Sequence, residues 1–157
     1  MKESFEIERK FLLANDAWRK EAGEGILLVQ GYIAGNKGTP AVRVRIAGNQ
    51  AFLTIKGAAE GIVRSEFEYS VPVEDARFMI DNFCGERVVE KKRYLCGRWE
   101  IDEYFKANQG LFTAEIELNS EDEEFDIPVW LGEEISDKPE YTNGALSRNP
   151  YRNWGKE

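Results

Sequence analysis

The sequence predicts a mainly β fold (α+β): a closed, eight-stranded antiparallel β-barrel, or tunnel, with a few peripheral helices. Three observations predict it. Short segments with strict polar–apolar alternation recur from the first residues to about residue 119. Hairpin signals separate them, Gly48-Asn49 and Cys96-Gly97 among them. One stretch between them, 73–84, changes to helical spacing. An even set of antiparallel strands this large can close on itself and leave no exposed edge. At 157 residues one domain, 1–157, is expected.

The first strand is Phe5 to Leu13. Phe5, Ile7, Phe11 and Leu13 share one face and Glu6, Glu8 and Lys10 the other. Arg9 breaks the apolar face, and a salt bridge outside the barrel is the expectation for it. Asn15 or Asp16 can cap a short helix through Trp18 and Lys20, stopped by Gly23. A strand from Ile26 to Ala34 ends in the loop Gly35-Asn36-Lys37-Gly38. Next comes Ala41 to Ala47, with Val42, Val44 and Ile46 opposing Arg43 and Arg45. The return strand, Ala51 to Lys56, sets Leu53 and Ile55 against Thr54 and Lys56. After the loop Gly57 to Gly61, the strand Val63 to Val71 sets Phe67, Tyr69 and Val71 against Arg64, Glu66 and Glu68.

Pro72 ends this run of strands. Ala76, Met79, Ile80 and Phe83 then recur at helical spacing, and Gly85 closes the helix. Strands resume with Arg87 to Leu95, which carries Lys91 and Arg93 on one face. Arg98 to Phe105 and Phe112 to Asn119 follow, the latter with Glu115 and Glu117 opposite Ala114, Ile116 and Leu118. Pro128 suits the first turn of a helix through Glu134. The tail from Ser136 contains Pro139, Gly144 and Pro150, with one short helix expected near Ala145.

Composition excludes several functions. A net charge of -8 argues against a nucleic-acid polymer as partner. Part of the acidic excess, Glu121-Asp122-Glu123-Glu124 and Asp126, reads as a solvated loop. No segment reads as a signal peptide or membrane span, so a cytoplasmic location is expected and no membrane. Cys84 and Cys96 read as reduced, mostly buried thiols. The chain has no histidine, which removes the usual general base, the usual triads and the usual zinc ligands. Chemistry must run on carboxylates, Lys, Arg, Tyr and a hard cation such as Mg²⁺ or Mn²⁺.

The charged faces carry the functional signal. Strand after strand places charges at i and i+2, usually of one sign: Glu6 and Glu8, Arg43 and Arg45, Glu66 and Glu68, Lys91 and Arg93, Glu100 and Asp102, Glu115 and Glu117. Two carboxylates so placed sit about 7 Å apart and repel by roughly 2 kcal/mol at an effective dielectric near 20. In one arrangement this face meets water and forms cross-strand salt bridges. In the other it points inward, where the acids would hold a divalent cation and the bases a multiply charged anion. The pattern alone admits both.

At these residues the chain resembles the triphosphate tunnel metalloenzyme superfamily, also called the CYTH domain, in its small bacterial form. The resemblance starts with Glu-x-Glu-x-Lys at Glu6, Glu8 and Lys10. It continues with Arg-x-Arg at Arg43 and Arg45, Thr-x-Lys at Thr54 and Lys56, and Arg-x-Glu-x-Glu at Arg64, Glu66 and Glu68. Lys-x-Arg at Lys91 and Arg93, Asp102, and Glu-x-Glu at Glu115 and Glu117 complete it. Gln30-Gly31-Tyr32 is also similar, while Tyr141 and Asn143 match only loosely.

The resemblance implies a tunnel that hydrolyses a triphosphate, either inorganic tripolyphosphate or a nucleoside triphosphate, with Mg²⁺ or Mn²⁺. It implies phosphate contacts from Lys10, Arg43, Arg45, Lys56, Lys91 and Arg93. Metal ligands would come from Glu6, Glu8, Glu115 and Glu117, with Glu66, Glu68 and Asp102 as further ligands or behind them. Glu6, Glu8, Lys10 and Glu117 would form the catalytic group. The alternatives are a class IV adenylyl cyclase, a thiamine triphosphatase and a non-catalytic binder of polyphosphate or nucleotide. A small-molecule triphosphate is the expected partner, and a homodimer is left open.

Overall fold

The computed structural model describes residues 4–34, 40–58 and 60–155. The loop expected at Gly35-Asn36-Lys37-Gly38 lies outside them. Eight strands form the barrel wall. They are β1 (Ser4–Leu13), β2 (Ile26–Ala34), β3 (Ala41–Ala47), β4 (Gln50–Lys56), β5 (Val63–Val71), β6 (Val88–Cys96), β7 (Trp99–Tyr104) and β8 (Phe112–Glu117). Their order is β5-β4-β3-β2-β6-β7-β8-β1, and β1 pairs back onto β5 to close the ring. All pairings are antiparallel. The hairpin turns hold at Gly48 and Gly97, which sit at φ 60 and 62 as tight turns of this kind require.

A ninth strand corrects the expected helix at 128–134. Pro128 instead opens a turn, its carbonyl accepting from the Leu131 amide, and β9 (Leu131–Glu134) follows. It pairs with β1 at Phe11 and Leu13. An ideal Cβ on Gly132 would lie 2.8 Å from the Leu12 carbonyl oxygen, so this close approach needs glycine. One edge of β1 is thus shared: Ser4–Ile7 pairs with β5 and the Phe11–Leu13 end with β9, while Glu8–Leu12 meets β8 on the other edge.

Arg9 faces outward, as expected. It forms a salt bridge with Glu134 of β9 and lies over the rings of Phe11 and Phe125. The short helix after β1 is a single 3₁₀ turn, Ala17–Lys20, whose Ala17 amide donates to the Asn15 side chain at 2.9 Å. It buries Trp18 against Tyr94 and Phe112.

The apolar strand faces point outward and are covered in part, while Phe5, Tyr69 and Leu95 stay exposed. Helix α1 (Val73–Phe83) has Glu74 and Asp75 in its first turn, where the helix dipole favours carboxylates. It lays Ala76 and Ile80 over Val44, Ile46 and Ala51. A second cluster joins Phe11, Trp99, Ile101, Ile116 and Trp130 beneath the segment leading into β9. A third closes one end of the barrel. Leu146 of helix α2 (Asn143–Arg148), with Tyr141, Tyr151 and Trp154, packs there on Leu12, Val89, Tyr104 and Leu111. Leu146 is fully buried, a contribution of about 1.5–3 kcal/mol to docking the tail. Cys84 and Cys96 are free and buried. Among the described residues no helix is long and apolar enough to cross a membrane.

Candidate active site

Because side chains alternate along each strand, the closed ring turns one charged face of every motif strand inward. The inward faces line a polar cavity of about 480 Å³, a volume in the usual range for a small-ligand site. Strand register then decides which charges meet. On β1 and β8, Glu8 stands opposite Glu117 and Lys10 opposite Glu115. Glu100 of β7 stands opposite Glu115. These strands form an acidic wall. Arg43 and Arg45 on β3 and Lys91 and Arg93 on β6 form a basic wall, with β2 between them.

Gln30 of β2 ties Arg45 of β3 to Tyr32 of its own strand. It accepts from Arg45 Nε at 2.8 Å and donates to the Tyr32 hydroxyl at 2.9 Å. Lys56 bridges the acids of two strands, at 2.9 Å from Glu6 and 4.0 Å from Glu66. Thr54 donates to Glu68 at 2.8 Å, and Arg43 lies 3.6 Å from the same carboxylate.

Burial works against the charge of several of these groups, and partners offset it at others. Burial pushes the Glu8 carboxyl up to about 9, and the negative charges of Glu115 and Glu6 add to the shift. Burial likewise drives the Lys91 ammonium down to about 7; Asp102 resists, and Arg93 and Arg45 add to the push. The Arg45 guanidinium falls to about 10 through burial and the charges of Arg43 and Arg93. Glu115 shows the compensated case: burial would raise it, but Lys10 and Arg93 bring it to about 2. For Lys10, burial is outweighed by Glu115, Tyr104 and Glu8, so the ammonium is held above the ordinary lysine range. The cavity therefore favours a cation at Glu8 and an anion at Lys91 and Arg45.

The cavity brings together Glu6, Glu8, Lys10, Arg43, Arg45, Lys56, Glu66, Glu68, Lys91, Arg93, Glu115 and Glu117. Asp102 does not line it. Its carboxylate is 1% exposed, at 2.7 Å from Lys91 and 2.8 and 2.9 Å from the two donors of Arg93. A carboxylate so enclosed is a counter-ion that orients two cavity cations, rather than an open metal ligand. Glu68 of β5 is tied to Thr54 and Arg43.

Sequence reasoning gave no site role to Arg64, Glu100 or Arg148, which also line the cavity. The first two could have been found, since they continue the charged faces of β5 and β7. Arg148 could not, because no strand periodicity places a tail residue. Thr142 and Asn143 of the tail line the cavity as well.

Comparison with known proteins finds relatives over nearly the whole chain. The CYTH domain family model matches residues 4–145. An inorganic triphosphatase of Acetivibrio thermocellus is 42% identical over 153 residues, covering 95% of this chain and 97% of that protein. An inorganic triphosphatase of Nitrosomonas europaea is 33% identical over 150 residues, covering 90% and 96%. A crystal structure of an inorganic triphosphatase superposes with a TM-score of 0.64 at 32% identity, over 90% of this chain and 93% of that one. A Pyrococcus horikoshii protein at 18% identity, with a TM-score of 0.54 over 74% and 80%, shows the shared fold alone.

Proposed function

This chain belongs to the CYTH domain family, and on that premise we propose that its cavity binds inorganic triphosphate and hydrolyses it with a divalent cation. One observation carries the reading: the cavity sets the carboxylates of Glu6, Glu8, Glu115 and Glu117 on β1 and β8 against the cations of Arg43, Arg45, Lys91 and Arg93 on β3 and β6. A pure anion binder gains nothing from Glu8, Glu6 and Glu115 facing its ligand.

The acidic wall fits a hard cation. Glu6, Glu8, Glu115 and Glu117 offer only carboxylate oxygens, which suit Mg²⁺ or Mn²⁺. Among the described residues no three acids already converge as a metal cage. A small cation of this kind takes one or two carboxylates, with waters and substrate oxygens completing its shell. A cation held there would neutralise phosphate charge and lower the pKa of a bound water.

The protein's own groups do the rest. Arg43, Arg45, Lys56, Lys91 and Arg93, with Lys10 from β1, line the cavity and fix the phosphate chain by its oxygens. Phosphoryl transfer needs this positioning and charge neutralisation more than covalent help. Glu117, the most exposed of the four acids, would pass the proton of the attacking water to solvent. Inorganic triphosphate is favoured over a nucleotide because Tyr32, the one aromatic residue lining the cavity among the described residues, is buried and hydrogen-bonded to Gln30. It offers no open ring face for a base.

The test is an assay with tripolyphosphate, ATP, GTP and thiamine triphosphate under Mg²⁺ and Mn²⁺. Orthophosphate from tripolyphosphate that disappears with EDTA is the expected result. Pyrophosphate with cyclic AMP from ATP would make it a cyclase, and no turnover with any of the four would overturn hydrolysis.

Cation loading also has a predicted pH dependence. Between about pH 6 and 8 Glu8 holds a proton that it must lose to bind a cation, so loading with Mg²⁺ should release close to one proton. Apparent affinity should then rise about tenfold per pH unit up to about pH 9 and flatten above it. Calorimetry in buffers of different ionisation enthalpy counts that proton. A pH-independent affinity would remove Glu8 from the ligand set.

A further inference from the structure

The C-terminal tail reaches past the apolar plug and touches the two lysines at the closed end of the cavity. The Asn143 side-chain oxygen accepts from Lys91 Nζ at 3.0 Å and from the Tyr104 hydroxyl at 3.2 Å. The Tyr141 carbonyl accepts from Lys10 Nζ at 3.3 Å. Thr142 between them caps α2, its hydroxyl accepting from the Ala145 amide at 3.2 Å, which fixes where Asn143 enters the barrel. Leu146, fully buried one turn further on, holds the helix down. An ammonium only donates, so the Asn143 atom facing Lys91 must be its oxygen.

We infer that Asn143 is a positioning residue, the tail's contact that aims Lys91 at the substrate. The inference rests on the triphosphate reading of this cavity. Lys91 has three N–H donors. Asp102 takes one at 2.7 Å and Asn143 a second, while the Tyr104 ring lies 5.3 Å from the nitrogen. Among the described residues the third donor has no other partner, and the Lys91 side chain, itself fully buried, borders the cavity. Without the Asn143 acceptor, the ammonium can turn about its Asp102 contact and no longer has one orientation. A docked but uninvolved tail would need only its apolar contacts and would leave no polar atom of Asn143 on Lys91.

The test is a double-mutant cycle of Asn143→Leu with Lys91→Met, read in two ways. Tripolyphosphate affinity is measured by calorimetry in EDTA, and KM and kcat for tripolyphosphate are measured with Mg²⁺. Asn143→Leu should weaken affinity and raise KM by about tenfold to a hundredfold, the effect of one hydrogen bond to a charged group. It should change kcat by less than about threefold. In the Lys91→Met background it should have almost no further effect on affinity. Asn143→Ala, which relieves any crowding by leucine, should reproduce the loss if Asn143→Leu folds poorly.

Equal losses in both backgrounds would mean that Asn143 only secures the tail, and would overturn the inference. So would unchanged affinity in both single variants at Asn143. A wild-type protein that binds tripolyphosphate without turnover would sink the hydrolysis reading, while the affinity cycle still decides the role of Asn143. A wild-type protein that neither binds it in EDTA nor turns it over with Mg²⁺ would sink both.

Discussion

Glu8→Gln is expected to cut tripolyphosphate turnover by about 10³-fold while leaving the protein folded and no less stable. Glu8 lies on the acidic wall opposite Glu117, in the field of Glu115 and Glu6. Its charged form is disfavoured by burial first and by those two carboxylates second. Gln has the shape of the protonated acid that fills this position near neutral pH, so folding loses almost nothing. Catalysis loses a negative oxygen donor where charge must be fixed before the reaction, a role worth on the order of a thousandfold when one such group is removed.

Stability adds a second readout to the same variant. With its pKa raised in the fold, Glu8 ionises in the unfolded chain from about pH 4.5 upward while the folded state keeps the proton to about pH 9. The unfolded state then binds fewer protons, and this group lowers metal-free stability as pH rises through that window. Wild type should lose stability between about pH 5 and 8.5 relative to Glu8→Gln, and Mg²⁺ should restore it only in wild type. Thermal melts across that range, with and without Mg²⁺, check the slope. Full turnover in the Gln variant, or parallel pH curves, would remove Glu8 from the reaction.

What the sequence could yield followed from periodicity. The period of two on β1, β3, β5, β6 and β8 marked the lining charges Glu6 to Glu117 before any pairing was known. It could not say which face was inside, because alternation is symmetric about the sheet. The recurrence of like-charged pairs and the family resemblance favoured the inside, and barrel closure through β1–β5 decided it. Register was not legible. Nothing in the string places Glu8 opposite Glu117 or Lys56 between Glu6 and Glu66.

The two least legible parts lie beyond residue 119. Strand β9 was read as a helix because Pro128 suits a helix start. Gly132, a weak helix residue, was the available warning, and its reason is contact with the Leu12 backbone. The tail has no period at all, since its helix α2 is six residues long and its contacts with Lys10 and Lys91 are set by tertiary docking. Asp102 shows the same limit from the other side. Its place on the charged face was read correctly, but strand spacing cannot tell a lining acid from one enclosed by Lys91 and Arg93.

That enclosure makes Asp102 the position where a single change should cost the most stability. Asp102→Asn keeps the volume and removes the charge. The Lys91 ammonium at 2.7 Å and the Arg93 guanidinium at 2.8 Å then face each other, and Arg45, with less compensation. Against the penalty of burial, those two cations hold the Asp102 carboxylate far below its usual range, so the charge is present in the fold at every working pH. Breaking a buried pair in this way costs about 3–5 kcal/mol, because the remaining charge stays buried. For a chain of this length that lowers Tm by roughly 6–20 °C. The freed cations should then gain more from an anion than they do in wild type, so tripolyphosphate should raise the variant's Tm by more than it raises that of wild type. Thermal melts with and without tripolyphosphate read both effects. An unchanged Tm would mean that water reaches Lys91 and Arg93 and that the pair is not dry. A lower Tm without the larger shift would mean that these cations do not meet the substrate.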